Sequence, residues 1–162
     1  MSMECYSDKF AIVGVGYTPQ GKVPGRTALS FHLEACANAI ADAGIKKDEV
    51  DGLLMYRHLN PLGNDHDVSG FLVAQHLGLQ PKVLGQETYC YRTWLTQALG
   101  LLEMGICSYV LVSYGDNGRT ERRAFVSELE NGAPTDESAA FGDLSLMSKY
   151  AMLAQRAMYE DG

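Results

Sequence analysis

The chain has 162 residues, 46% hydrophobic and 20% charged, with 13 basic against 20 acidic side chains and a net charge of −7. That length and apolar content suit one globular domain with a sizeable core and exclude global disorder. The acidic balance excludes a general nucleic-acid binder, which needs a basic face to neutralise phosphates. The local cluster Arg119, Arg122 and Arg123 is flanked by Glu121 and Glu128 and reads as a solvated loop.

The first element is "KFAIVGVGY", Lys9 to Tyr17, an apolar run closing in glycines that predicts a buried strand. "TPQGKVPGR" follows as loop, with two prolines and two glycines. "TALSFHLEACANAIADAG" predicts a helix: Thr27 can cap it, Leu29, Leu33, Cys36 and Ile40 recur at helical spacing, and Gly44 stops it. "VDGLLMYR" is a second strand, Val50 to Arg57. After the turn-rich "HLNPLGNDHD", Asp67 is expected to cap a helix through "VSGFLVAQHLG" that stops at Gly78. "PKVLGQE" is a short third strand, and a third helix runs from Cys90 to Met104, ended by Gly105. "SYVLVSYGD" is a fourth strand, apolar in the manner of strands buried on both faces.

The order is β-α-β-α-β-α-β. Parallel neighbours need such helical crossovers, so the expected fold class is α/β, a layered and largely parallel sheet. This core occupies residues 1–116, and residues 117–162 form a loop-and-helix excursion. Residues 117–140 are polar and weakly patterned, which suits an active-site excursion or an interface arm. "FGDLSLMSKYAMLAQRAMYEDG" returns to helix, with Leu146, Tyr150, Leu153 and Ala157 on one face. No fifth strand follows to cover the far edge of the fourth, and a bare edge attracts another chain. A homo-oligomer or a complementing chain is therefore expected.

Several chemistries drop out. The four cysteines, at 5, 36, 90 and 107, form no CxxC pair and no Cys/His spacing, which argues against a zinc site or a disulfide framework. Cys36 and Cys107 sit in apolar patterns and read as core. "GVGYTP" begins a GxGxxG with Gly14 and Gly16 but has Pro19 where the third glycine belongs, so a nucleotide cofactor is not expected. His58 and His66, with Asp65 and Asp67, lack metal-ligand spacing, and no metal is expected. His32 and His76 fall within helices as part-buried or surface residues, and without GxSxG no Ser-His-Asp set can be argued. The opening "MSMECYSDKF" lacks the apolar stretch of a signal peptide and no run reaches membrane-spanning length, so a cytoplasmic location away from membranes is expected.

Cys90 is the sharpest candidate. A thiol at a helix N-terminus feels the positive potential of unpaired backbone N–H groups, which favours thiolate. The strand-to-helix turn of an α/β sheet is also where ligands bind. Equally, Tyr89, Tyr91 and Trp94 are bulky enough to wall the cysteine in as a small hydrophobe. Both readings stay open.

"FAIVGVGYTPQGKVPGRTALSFHLEACANAIADAGIKKDEVDGLL" resembles the opening of the thiolase superfamily, in its branch of sterol-carrier-type thiolases and thiolase-like steroid side-chain aldolases. "EMGICSYVLVSYGDN" is similar to that family's fourth strand and its glycine exit. "YAMLAQRAMYEDG" is similar to its A-x-x-A-x-R-x-M-x-x-x-G helix. The resemblance implies acyl-CoA thioester substrates and a fold of two similar β-α-β-α-β-α-β-β halves in five layers. This chain resembles the N-terminal half, without the fifth strand or the second half that carries the family's catalytic histidine and second cysteine.

Counting back along the third helix, the family's nucleophilic cysteine falls on Thr88, with Cys90 two residues later. The thiolase-like aldolases lack that cysteine and cleave a carbon–carbon bond without an acyl-enzyme. The resemblance thus implies Cys90 as candidate nucleophile, Thr88 in the alternative register, and Tyr89, Tyr91 and Gly115 as substrate contacts. Coenzyme A enters as part of the substrate, with no separate cofactor, and the aldolase branch adds a small OB-fold partner. The expected function is Claisen-type acyl transfer or retro-aldol cleavage in lipid or steroid side-chain metabolism, incomplete in this chain alone. The competing expectations are a non-catalytic subunit that supports assembly or acyl-CoA binding, and an α/β binding domain whose likeness is confined to fold.

Overall fold

The computed structural model describes residues 8–56, 68–87, 91–117 and 146–161. Helix α1 spans Ala28–Ala43. It starts at Thr27 because the Thr27 hydroxyl accepts from the Ser30 N–H while Ser30 Oγ accepts from the Thr27 N–H, satisfying two donors reciprocally. It ends where Gly44 takes the left-handed conformation, φ 66°, that other residues resist. Strand β1 (Gly52–Tyr56), helix α2 (Gly70–Leu77), strand β2 (Val83–Glu87), helix α3 (Tyr91–Glu103), strand β3 (Val110–Ser113) and helix α4 (Leu146–Asp161) follow. The cap of α2 is Ser69, whose hydroxyl accepts from the Leu72 N–H. It is not Asp67, which lies outside the described residues.

The three strands are parallel in the order β2-β1-β3, so β1 is central. Leu54 sits opposite Gly85 on one side and Val112 on the other. Successive side chains alternate between faces. Leu53 and Met55 join Cys36, Val73 and Ala74 in the core beneath α1 and α2. Leu54 and Tyr56 join Trp94 and Ala98 beneath α3. Helices alternate with strands and cover both faces, which is the α/β arrangement the element order predicts.

Asp51 ties the amino ends of the strands together. Its carboxylate accepts from the backbone N–H groups of Ser108 and Tyr109 and from Lys82 Nζ, at 2.9–3.0 Å. Beside it Cys107 is buried, as is Cys36 in the main core, in line with the sequence reading of both as core residues.

Two further expectations need correction. Lys9–Tyr17 is not a strand. It lies on α1 instead: Val15 N–H donates to Asp42 at 2.8 Å, and Asn38 donates to the Tyr17 carbonyl at 3.1 Å. Gly14 and Gly16 permit that approach, since a Cβ at Gly16 would fall 2.1 Å from the Ala35 carbonyl oxygen. With no strand beside it among the described residues, the run leaves Ile12 82% and Tyr17 76% exposed. The fourth predicted strand, β3, has the bare far edge expected of it among the described strands, but it is not buried on both faces, since Val112 is exposed. The predicted helix at the end of the chain is α4, whose Tyr150, Leu153 and Ala157 are exposed among the described residues. No helix among the described residues is long and apolar enough to cross a membrane.

Candidate functional site at the carboxyl end of the sheet

The chain leaves β1 for β2 by way of α2, then crosses back over β1 to β3 by way of α3 on the opposite face. Such a reversal opens a crevice outside the carboxyl ends of the strands, between β1 and β3, where open α/β sheets bind ligands. Tyr56 ends β1 and Tyr114 follows β3, and their ring centroids lie 4.9 Å apart at that end of the sheet. Trp94, one turn into α3, stands edge-on to Tyr56 at 6.3 Å. The indole is buried, and its N–H has no acceptor among the described residues.

On the other face, α1 meets the end of β3 through a buried polar group. His32 Nδ1 lies 2.7 Å from Ser113 Oγ, with both residues buried. Burial pushes the Cys36 thiol pKa up, while a hydrogen bond with the same Ser113 opposes the rise. Gly115 passes so close that a Cβ there would meet the His32 ring at 2.8 Å. Asn117 then donates to the Arg26 carbonyl at 3.4 Å, holding the exit of β3 against the loop before α1. Gly115 therefore has a packing reason for being glycine, whatever contact it makes with a ligand.

The remaining predicted site residues bracket this end of the sheet in sequence. Thr88, Tyr89 and Cys90 fall between Glu87, the last residue of β2, and Tyr91, the first of α3. All three lie outside the described residues, as does the Tyr91 side chain. His58, His66 and Asp65 also lie outside them, and His76 is exposed on α2. Among the described residues no three His, Cys, Asp or Glu side chains gather as a metal site would require.

Sequence reasoning missed His32, Tyr56, Trp94 and Tyr114 as a group. The signals were present: His32 shares the i, i+4 row of Ala28 and Cys36, and Tyr56 and Tyr114 continue the alternation of Leu54 and Val112. What periodicity cannot supply is that two strands distant in sequence are neighbours.

No family model matches the chain. The acetyl-CoA acetyltransferase of Methanocaldococcus jannaschii is 32% identical over 157 residues, which are 94% of this chain and 39% of that protein. A 17-hydroxy-3-oxo-4-pregnene-20-carboxyl-CoA lyase of Mycobacterium tuberculosis is 44% identical over 50 residues, 31% of this chain and 13% of that protein. Among solved structures, an Ltp2-ChsH2(DUF35) aldolase superposes on 93% of this chain and 38% of its own with a TM-score of 0.69 at 29% identity. The chain belongs to the thiolase superfamily. It spans about two fifths of the length of the acetyltransferase and of the aldolase chain. Within this thiolase-superfamily chain, the Tyr56–Tyr114 pair and the amino end of α3 lie at the carboxyl end of the sheet.

Proposed function

We propose that this chain is part of a thiolase-like enzyme acting on acyl-CoA thioesters, by Claisen-type acyl transfer or by retro-aldol cleavage in lipid or steroid side-chain metabolism. The observation that carries the reading is the likeness, over nearly the whole chain, to an acetyl-CoA acetyltransferase and to an aldolase. The short match to a CoA lyase supports it. Coenzyme A enters as part of the substrate and no further cofactor is needed. The proposal includes a cytoplasmic location and a second copy or complementing chain that supplies the rest of the catalytic groups, with a small OB-fold protein as a further partner.

In the transfer route, the Cys90 thiolate adds to the thioester carbonyl, backbone N–H donors hold the oxyanion, and coenzyme A leaves as the thiol while the acyl group stays on sulfur. In the aldol route, a base takes the proton of a 3-hydroxyl, the carbon–carbon bond breaks, and the electron pair goes to the carbon beside the thioester carbonyl. Intact-mass measurement after exposure to acyl-CoA separates them. An acyl adduct that Cys90→Ser abolishes supports transfer; cleavage of a 3-hydroxyacyl-CoA with no adduct supports the aldol route. Binding with neither outcome, in the assembled protein, supports the non-catalytic subunit.

A further inference from the structure

The buried imidazole of His32 does more than fill space. We propose that His32 is an acid-released latch: uncharged, it holds the exit of β3 against α1, and taking up a proton lets residues 114–117 swing away. The inference is independent of the acyl-CoA reading and concerns how the carboxyl end of the sheet is kept closed.

Three observations converge. His32 is 0% exposed on the second turn of α1, and its Nδ1 lies 2.7 Å from Ser113 Oγ. Ser113 is the last residue of β3 and the last paired with β1, opposite Met55, so the ladder ends where the imidazole contact is made. Past that point Gly115 packs on the ring itself. A Cβ there would lie 2.8 Å from His32 Cδ2 and 3.0 Å from the His32 backbone nitrogen. Finally, Asn117 donates to the Arg26 carbonyl at 3.4 Å, a long bond that clasps the exit to the loop before α1. Tyr114 lies inside the clasp, with its ring centroid 4.9 Å from that of Tyr56.

A proton changes what this arrangement can do. The Ser113 hydroxyl serves His32 and Cys36 together. With a neutral ring it can donate to Nδ1 and accept from the Cys36 thiol. An imidazolium donates from both nitrogens, so Ser113 must accept and turn its own proton toward sulfur, a weak acceptor. A charge at a fully buried position also loses its hydration, a cost that only a partner charge or water recovers.

The acids on the elements packed here have partners of their own: Glu34 pairs with Arg26, Asp42 accepts from the Val15 N–H, and Asp116 accepts from the Tyr114 hydroxyl. Tyr17 on the 10–17 segment and His76 on α2 are exposed, and burial pushes the Cys36 thiol up, so it stays neutral. Water reaches the ring most readily at the exit of β3, which is an edge among the described strands and has no ladder pairing beyond Ser113. The latched form resists the proton and the released form accepts it. The latch is therefore intact above the ordinary imidazole value, about 6.5, and weakens by up to about tenfold per pH unit below it.

Trp94, the chain's sole tryptophan, stands edge-on to Tyr56 and so reports the Tyr56–Tyr114 pair. The test follows Trp94 emission and amide exchange of residues 114–117 in the purified chain from pH 8 to pH 4.5. The expected result is one transition of one-proton slope with a midpoint at or below about 6.5. Exchange at the exit, corrected for its intrinsic pH dependence, should be at least about tenfold faster at the acid end. His32→Asn keeps a hydrogen-bonding group beside Ser113 without a titrating one, so the transition should vanish and the exit stay protected. The transition persisting in folded His32→Asn, or flat emission with unchanged exchange in the unaltered chain, overturns the latch. Asn117→Ala removes the tie to Arg26 and weakens the latch about fivefold, which should raise the midpoint by about 0.7 pH unit. Should His32→Asn not fold, or leave the exit open at every pH, Asn117→Ala decides: a raised midpoint sustains the latch and an unmoved one overturns it.

Discussion

His32 Nδ1 lies 2.7 Å from Ser113 Oγ, joining the second turn of α1 to the last residue of β3 in a fully buried contact. The contact sets how the exit of β3 leaves the sheet, because Gly115 passes against the same imidazole. Ser113→Ala removes the hydroxyl that serves both His32 and Cys36. We expect a loss of about 2 kcal/mol, the usual cost of stranding a buried polar group, or roughly 4–8 °C in melting temperature for a chain of this size. Thermal unfolding followed by circular dichroism checks it; an unchanged midpoint would mean the pair contributes nothing.

Asp51 makes the fold acid-sensitive. Burial acts to raise its pKa, but hydrogen bonds from the Tyr109 N–H, Lys82 and the Ser108 N–H outweigh burial and hold the carboxyl below its ordinary value. The folded state therefore binds this proton less readily than the unfolded chain. The resulting stability is fully present above the unfolded pKa, about 3.9, and is lost as pH falls through the folded value. Unfolding midpoints measured from pH 6 to pH 2 should decline below about pH 4. In Asp51→Asn the decline should be shallower and the neutral-pH midpoint lower, and an identical acid profile in the variant would rule Asp51 out.

Gly16 is needed for close approach rather than for a turn. A methyl group there would fall 2.1 Å from the Ala35 carbonyl oxygen and 2.4 Å from the Ala39 nitrogen, both backbone atoms of α1 that have no rotamer to yield. Gly16→Ala should lift the 10–17 segment off the helix, costing about 1–3 kcal/mol as overpacking does, and should speed proteolysis near Tyr17. Cleavage at the wild-type rate would show that the segment does not depend on this contact.

Much of this architecture could be read from residue pattern. Gly44 and Gly78 stop their helices as expected, and the alternation in "GLLMY" separates Leu53 and Met55 from Leu54 and Tyr56 onto opposite faces. Lys9–Tyr17 misled because apolar content signals a strand without naming its neighbour; a strand exists only where another chain segment accepts its hydrogen bonds. Asp67 misled as a cap because Ser69, two residues later, offers the same chemistry closer to the first turn. The aromatic group was hidden for a third reason: Tyr56 and Tyr114 are 58 positions apart and meet only through a parallel pairing that no local window contains.

Thiol chemistry follows from burial. Desolvation pushes the Cys36 thiol up, and at Cys107 desolvation and the Asp51 charge both do so. A maleimide reagent at pH 7 should modify these two cysteines at least tenfold more slowly in the folded chain than after denaturation, since only thiolate reacts. Mass mapping of labelled peptides gives each rate separately. Equal rates before and after denaturation would contradict the packed positions assigned to them.

The central claim is that the folded chain recognises acyl-CoA thioesters, and thermal unfolding with added ligand addresses it most directly. A ligand bound to the folded state alone stabilises it by about 2.7 kcal/mol at a hundred times its dissociation constant, roughly 5–11 °C here. We predict a concentration-dependent rise of that order with a 3-oxoacyl-CoA and a smaller one with free coenzyme A. An unfolding midpoint that stays fixed at millimolar thioester would contradict the account.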